Sequence, residues 1–293
     1  MQKSFNTIIG AIVFGEKNIE LVQQSDAPPA KTTEEKKNAL RFLKNKEFFP
    51  KFREANIRLT KKKIRESTKK DLLIIQTINC IDEMTKAINT LTKRLREWYE
   101  YYNPEFSRAV YDNEKFVEEI TTKTREELLA EIKLEEKETM GADIEKIDIS
   151  QILQLAKQVQ YLQASKKDHE LYLNLLMKEV CPNVREIAGI SIGAKLMAIA
   201  GSLERLAVLP ASTIQLLGAE KALFRHLKTK SLPPKYGVIH EHPLIARAKL
   251  KEHGKIARTL ADKISIGAKI DYFKGEFIGD KLKQGIESKF GKY

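Results

Sequence analysis

From Gly218 the sequence runs Gly218, Ala219, Glu220, Lys221, Ala222, Leu223, Phe224, Arg225, His226, Leu227 and Lys228. On a helix of about 3.6 residues per turn, Lys221, Arg225 and Lys228 share one face, while Leu223, Phe224 and Leu227 fall on another. The spacing predicts a basic stripe mounted on a buried apolar wedge. Lys230 and Lys235 extend the stripe through the Pro233-Pro234 loop, and Arg247, Lys249, Lys251, Lys255 and Arg258 follow nearby. A row of cations suits phosphate oxygens, which position a nucleic acid without reading its bases. Glu220 departs from the pattern. In the first turn a carboxylate satisfies the helix dipole and repels a phosphate, so the helix start is expected to face protein.

The other reactive side chains support no enzyme. No G-x-G-x-x-G or G-x-x-x-x-G-K-[ST] motif occurs, so no phosphate-cradling nucleotide site is expected. His240, His242 and His253 cluster in sequence without a matching carboxylate or cysteine set, which favours packing or RNA-facing roles over metal binding. Glu276 and Asp280, four apart in a charged stretch, are expected on a solvated helix face. Cys80 and Cys181 form no C-x-x-C, which argues against a disulfide scaffold and for a reducing compartment.

Charge points the same way. The 293 residues include 52 Lys and Arg against 40 Asp and Glu, a formal net charge of +12, which favours a polyanionic partner. Residues 182–293 hold +10 of that excess, so the charge is concentrated in one region. Hydrophobic residues make up 42%, enough for a buried core. Lys195 interrupts the best apolar stretch, Ile187 to Ala200, short of the roughly 20 residues a bilayer requires, so no membrane partner is expected. Ile8 to Phe14 is followed by Gly15, Glu16 and Lys17, flanks that fit a strand and not a signal peptide.

The elements that must carry these residues follow from glycine, proline and periodicity. The reading is mainly α, with a small N-terminal α+β domain (1–66), a long antiparallel coiled-coil hairpin (67–181) and an all-helical C-terminal domain (182–293). In the first, Phe5 to Phe14 and Ile19 to Val22 read as strands around a Gly15 to Asn18 turn. A linker, Ser25 to Thr33, and a basic helical stretch, Glu34 to Glu66, come next. In the second, a capping-box-like start at Thr68 and Asp71 leads into Ile74, Ile78, Ile81, Met84, Ile88, Leu91, Leu95, Trp98 and Tyr102, before Pro104 ends the helix. A return helix starts at Asp148 and Gln151 and carries Ile152, Leu155, Val159, Leu162, Tyr172, Leu176 and Val180. Tyr111 to Lys146, highly charged, reads as the far turn with a short helix on each side. In the third, Ser212 and Gln215 read as a cap and Gly218 as a helix stop. The hexamer Ile-Ser-Ile-Gly-Ala-Lys occurs twice, at Ile190 to Lys195 and Ile264 to Lys269, and its small residues are expected at packing positions.

GAEKALFRHLK (218–228), PPKYGVIHEHPLI (233–245) and HGKIARTLADKISIGAKID (253–271) together resemble the Nop domain of archaeal box C/D ribonucleoprotein scaffold proteins. The resemblance extends upstream through residues 177–221 and, at IIQTINCIDEMTKAINTLTKRLREWY (74–99), into the coiled coil, so that residues 71 to 290 are covered. Segment one is shorter than the family's usual N-terminal domain, and the family's lysine-rich tail does not follow. The resemblance implies a non-enzymatic scaffold whose N-terminal domain holds the methyltransferase fibrillarin and whose coiled coil self-associates. Its Nop domain would grip a kink-turn-binding ribosomal-type protein with box C/D guide RNA. Carried to this chain, it implies kink-turn-protein contacts at Gly218, Ala219, Glu220 and Ala222. RNA contacts are expected at Lys221, Arg225, His226, Lys228, Lys230, Lys235, Arg247 and Lys249. No cofactor is expected, since S-adenosylmethionine would belong to the partner methyltransferase. The location implied is the cytoplasm of an archaeal cell, or the nucleolus of a eukaryotic one. The alternative is a splicing-type Nop-domain protein, which shares the last two segments and has no fibrillarin partner. A self-sufficient RNA methyltransferase would need a glycine-rich strand-to-helix turn, and segments two and three contain none.

Overall fold

The computed structural model describes residues 3–14, 19–22, 29 and 33–290. The fold is mainly α and separates into two compact units, residues 1–69 and 70–293.

In the first unit, β1 (Lys3–Thr7), β2 (Gly10–Phe14) and β3 (Ile19–Val22) form an antiparallel sheet in sequence order. Phe5 faces Ile12 in the register, and Ile12 faces Leu21. The run Phe5 to Phe14, expected as one strand, is therefore two. Thr7 Oγ1 donates to the Gly10 carbonyl at 2.6 Å and accepts the Ile9 N–H at 3.3 Å, so the chain reverses at Ile8 and Ile9. Threonine's hydroxyl offers the backbone a local partner that periodicity alone does not reveal. The expected Gly15 to Asn18 turn lies outside the described residues, as does the expected linker apart from Pro29 and Thr33. Helices α1 (Thr33–Leu43) and α2 (Phe49–Ser67) follow, and Ala39 and Leu43, one turn apart, are buried with Ile12.

The second unit begins with α3 (Lys70–Tyr99), which packs along α7 (Lys146–Val180). Each is on the order of 50 Å long. Ile74, Ile78, Ile81, Ile88, Leu95, Ile152, Val159 and Leu176 are buried as the periodicity requires. Trp98 and Tyr172, expected in the same seam, are 41% and 43% exposed, and their neighbours Tyr99 and Leu173 are buried instead. The physical reason is drift: a straight helix slips by about 20° per heptad against a strict seven-residue pattern. The return helix starts at Lys146, slightly before the expected Asp148.

The far end is more than a turn. Helices α4 (Pro104–Ala109), α5 (Asn113–Thr122) and α6 (Arg125–Glu131) bury Phe106, Phe116, Ile120 and Leu128 against Leu95, Tyr99, Ile152 and Val159. Each of the three is capped by the side chain before it: Asn103, Asp112 and Thr124 accept the N–H groups of Phe106, Lys115 and Glu127. Those caps account for the density of polar residues that reads as loop in the sequence.

After Cys181 and Pro182 the chain enters α8 (Pro182–Ala188), α9 (Ile190–Ala200), α10 (Leu203–Val208), α11 (Ala211–Leu216) and α12 (Glu220–Thr229). Then come α13 (Pro243–Ala246), α14 (His253–Tyr272) and α15 (Gly279–Phe290). Helix α14 is central and packs on α8, α10, α11 and α15. The core around Val184, Leu206, Ile214, Leu260 and Ile264 is continuous with Ile74, Ile78 and Leu176 at the base of the α3–α7 pair. Both copies of the repeated hexamer press on α8: a Cβ on Gly193 would lie 3.1 Å from Val184 Cγ1, and one on Gly267 would lie 2.9 Å from Ile187 Cδ1. Asp71 closes no box with Thr68. Its carboxylate accepts from the Leu203 N–H at 3.2 Å and so caps α10. Among the described residues, no helix is long and apolar enough to cross a membrane.

Candidate nucleic-acid interface

Helix α12 belongs to an excursion fastened at its root. The Gly237 N–H donates to the Gln215 carbonyl at 2.8 Å and the Val238 N–H to the Leu217 carbonyl at 2.8 Å, while Gln215 Nε2 donates to the Lys235 carbonyl at 2.6 Å. Gln215, expected as part of a capping box, thus closes the loop instead. Gly218 sits at the crossing with φ +87°, and a Cβ there would lie 2.5 Å from Val238 Cγ2. Glycine is required both for the backbone angle and for the approach. The Gly218 N–H donates to Glu220 Oε1 at 2.8 Å, so the acidic residue of the first turn stabilises the bend that launches the helix.

Along α12 no residue is buried. Ala222, Leu223 and His226 are half-buried and form the side turned to the body. Phe224 is 62% exposed and Leu227 68%, which corrects the expected wedge: only Leu223 of its three residues is turned inward. The sequence pattern identified an apolar stripe correctly, but amphipathicity does not say which side meets the protein's own core. Lys221, Arg225 and Lys228 are exposed, and among the described residues none of the three forms an ion pair. At about 100° per residue, Phe224 lies next to this stripe, so cations and an aromatic ring share the outer face.

The C-terminal end is held by His226 and Lys230. His226 Nδ1 bonds to the Ser231 carbonyl and ties the helix to the Pro233-Pro234 loop. Lys230 takes φ +55° at the C-cap and donates its N–H to the His226 carbonyl at 2.9 Å. Lys235 is exposed on the return path. At the other end, Ala219 is the N-cap residue, and its N–H donates to the Leu216 carbonyl at 2.9 Å.

Two expected site residues lie elsewhere. Arg247 lines a groove of about 420 Å³ with Arg185, Gly189, His242 and Lys283, whose lining includes no residue of α12. Lys249 is exposed beyond α13. His242 works inside this groove as a helix cap. Its Nδ1 accepts the Leu244 N–H at 3.3 Å and its Nε2 lies 3.2 Å from the Ile187 carbonyl, while burial lowers its pKa and favours the neutral ring. His240 and His253 bond to the carbonyls of Gly237 and Ala248 at 3.1 and 3.0 Å and flank the Tyr236 ring, which gives both a packing role. Among the described residues, no three or more His, Cys, Asp or Glu converge on a metal-binding geometry. Glu276 lies in the loop before α15 and not on a helix, and both it and Asp280 are exposed.

Residues missed by periodicity are the ones that position α12: Gln215, Leu217, Gly237 and Val238. Gly237, just beyond the Pro-Pro loop, was the available signal of a close backbone approach.

Residues 80–292 match the family model Nop, described as snoRNA binding domain, fibrillarin. An uncharacterized NOP5 family protein of Methanocaldococcus jannaschii is 40% identical over 258 residues, 83% of this chain and 62% of that protein. Nucleolar protein 56 of Mus musculus is 38% identical over 244 residues, 76% of this chain and 42% of the mouse protein. The chain thus spans less than two thirds of the length of these relatives. A crystal structure of a fibrillarin/Nop5p complex contains a chain with TM-score 0.51 and 25% identity to this one, with 99% of each chain covered. The chain belongs to the Nop family.

Proposed function

We propose that this chain is a non-enzymatic scaffold of a box C/D guide ribonucleoprotein. It holds a kink-turn-binding protein and its guide RNA at α12 and fibrillarin at the N-terminal unit, so that the methyltransferase reaches guide-paired RNA for ribose 2′-O-methylation. The observation that carries this reading is the projecting α12, whose Lys221, Arg225 and Lys228, unpaired among the described residues, stand beside exposed Phe224 on a clamped root. Cations supply phosphate contacts, and the apolar side chains supply what a protein partner's interface core needs.

Two further features support the assembly. In the N-terminal unit, Phe5, Ile8, Leu40, Leu43, Phe49 and Phe52 line an apolar groove of about 660 Å³, suited to a protein partner, and the likeness to a chain of a fibrillarin/Nop5p complex covers this unit too. That coverage favours the fibrillarin-bound reading over the splicing type. On the α3–α7 pair, Leu171 and Leu175 of α7 are exposed one turn apart with Tyr172 beside them, an apolar strip fit for a second copy of the chain. The chain's own contribution is placement. Holding a catalyst near its target raises effective concentration by orders of magnitude. Nucleolar relatives fit such a role in the nucleolus of a eukaryotic cell, and the cytoplasm is its place in an archaeal one.

Reconstitution with a kink-turn RNA, its bound protein and fibrillarin tests the reading. Assembly should depend on Lys221, Arg225 and Lys228, and deletion of residues 1–66 should abolish methylation while leaving RNA assembly intact. Full methylation by the deletion variant would move the fibrillarin contact out of the N-terminal unit.

A further inference from the structure

Helix α2 carries charge that α12 does not explain. Between Lys51 and Glu66 it has Lys51, Arg53, Arg58, Lys61, Lys62, Lys63 and Arg65 against two carboxylates, Glu54 and Glu66. From Asn56 to Ser67 every residue is exposed, so this half of the helix packs on nothing described. On the α3–α7 pair some exposed helical cations are answered: Lys93 and Arg94 pair with Glu97, and Lys166 with Glu170. On α2 the single ion pair among the described residues is Lys62 to Glu66 at 3.8 Å.

Most of these cations are also aligned. At about 100° per residue, Lys51, Arg58, Lys61, Lys62 and Arg65 fall within an arc of about 100°, a row of about 20 Å along the axis. Glu54 is the single carboxylate on that arc. Arg58 to Lys62 and Lys61 to Arg65 are like-charge pairs four residues apart, each of which weakens the helix on its own. A solvated face has no reason to concentrate such pairs, and a polyanion laid along it relieves them.

We propose that the basic face of α2 is a second RNA-backbone contact, separate from α12. The charge pattern selects RNA over protein because the arc itself carries five cations, one carboxylate and no apolar side chain. Exposed Ile57 and Ile64 only flank it, about 40° and 60° beyond Lys61, whereas a protein interface puts such anchors at its core. Affinity on this face comes from counterion release, which needs only aligned cations. The identity of the polyanion rests on the reading of this chain as a ribonucleoprotein scaffold.

The test uses the full chain and a plain RNA duplex without a kink-turn, titrated over a range of salt concentrations. The variant R58Q/K61Q/R65Q should lose about tenfold or more in affinity, and its slope of log affinity against log salt should fall by about two units. The variant R58K/R65K keeps the charge and should bind like the parent, which separates lost charge from lost helix. Unchanged affinity and slope in the glutamine variant overturn the proposal. So does equally tight, variant-sensitive binding of polyglutamate or phosphatidylserine vesicles, since the face would then not be selective for RNA. The variant K221Q/R225Q/K228Q, assayed with kink-turn RNA and its protein, reports on α12 independently: intact assembly there would sink the proposed function while the α2 slope still decides this inference.

Discussion

Asp271 of α14 caps helix α8 through Asn183. One carboxylate oxygen accepts from the Asn183 backbone N–H at 3.1 Å and from Asn183 Nδ2 at 2.7 Å, and the other accepts from the Val184 N–H at 2.9 Å. Asn183 Oδ1 in turn accepts the Ile278 N–H at 2.8 Å. Two side chains thus tie together α8, α14 and the loop entering α15, in the domain that carries α12.

Asp271→Ala should destabilise this domain by about 2–3 kcal/mol, because buried N–H groups at the start of α8 lose their acceptor. The carboxylate also predicts a pH dependence. Burial raises the Asp271 pKa, against the three donated hydrogen bonds, so the folded chain holds this proton more tightly than the unfolded one. Its contribution is full below the unfolded value of about 3.9 and is lost as pH rises through the raised folded value. Asp271→Asn removes that titration. Urea midpoints of parent and Asn variant, measured across this window, should converge or cross as pH rises and then run parallel. A difference that stays constant with pH would show that Asp271 does not titrate there.

Arg96 holds the far end of the α3–α7 pair, and lysine should not replace it. Its Nε donates to Asn113 Oδ1 at 2.9 Å, Nη1 to the Ser107 carbonyl at 2.8 Å and Nη2 to the Val110 carbonyl at 2.8 Å, with the guanidinium 4.2 Å over the Phe116 ring. An ammonium cannot reproduce that planar fork. Arg96→Lys should cost about 2 kcal/mol. Hydrogen exchange should quicken in residues 104–131 and stay unchanged in α14, and uniform loss of protection would contradict the local role.

What the sequence made legible was the repeating part of this fold. Ile74, Ile78, Ile81, Ile88 and Leu95 are buried because one period decides both their spacing and their face. What it left hidden were partnerships across long sequence distances. Asp71 looks like a local cap for its own helix, yet it caps α10. Gln215 looks like part of a capping box, yet it reaches Lys235. Both have the chemistry of a cap, and only tertiary placement chooses which backbone groups they serve. The basic stripe of α12 was legible for the same reason as the core, since charge at helical spacing fixes a face. The outward turn of Phe224 was not, because an apolar stripe reads alike whether it packs on its own domain or awaits a partner.

Lys274 stands in the left-handed region with φ +55° at the end of α14, where the Gly275 N–H donates to the Ile270 carbonyl at 2.9 Å. This is the helix-terminating geometry that glycine adopts without a Cβ penalty. Its side chain is exposed and unpaired among the described residues, so nothing offsets the strain. Lys274→Gly should therefore stabilise the chain by about 1 kcal/mol in urea denaturation. A destabilised variant would mean that unfolded-state entropy outweighs the relief.

Phe224 and Leu227 separate a folding role from a binding role. Truncation of a core side chain such as Leu206, fully buried, should cost about 2–5 kcal/mol. Phe224→Ala and Leu227→Ala leave almost no cavity, since both side chains are mostly exposed, so each should change stability by less than about 0.5 kcal/mol. The same substitutions should weaken assembly with the kink-turn protein and RNA by about tenfold, as for an apolar anchor at an interface core. Because no charge is lost, the salt dependence of assembly should stay at the parent value, in contrast to Arg225→Ala, which should lower the slope by about one unit or less. Thermal melts and salt-dependent binding curves on the same preparations decide the matter. If Phe224→Ala melts as early as Leu206→Ala, the ring packs within the protein's own fold; if it melts normally and assembles normally, the outer face of α12 does not meet the protein partner.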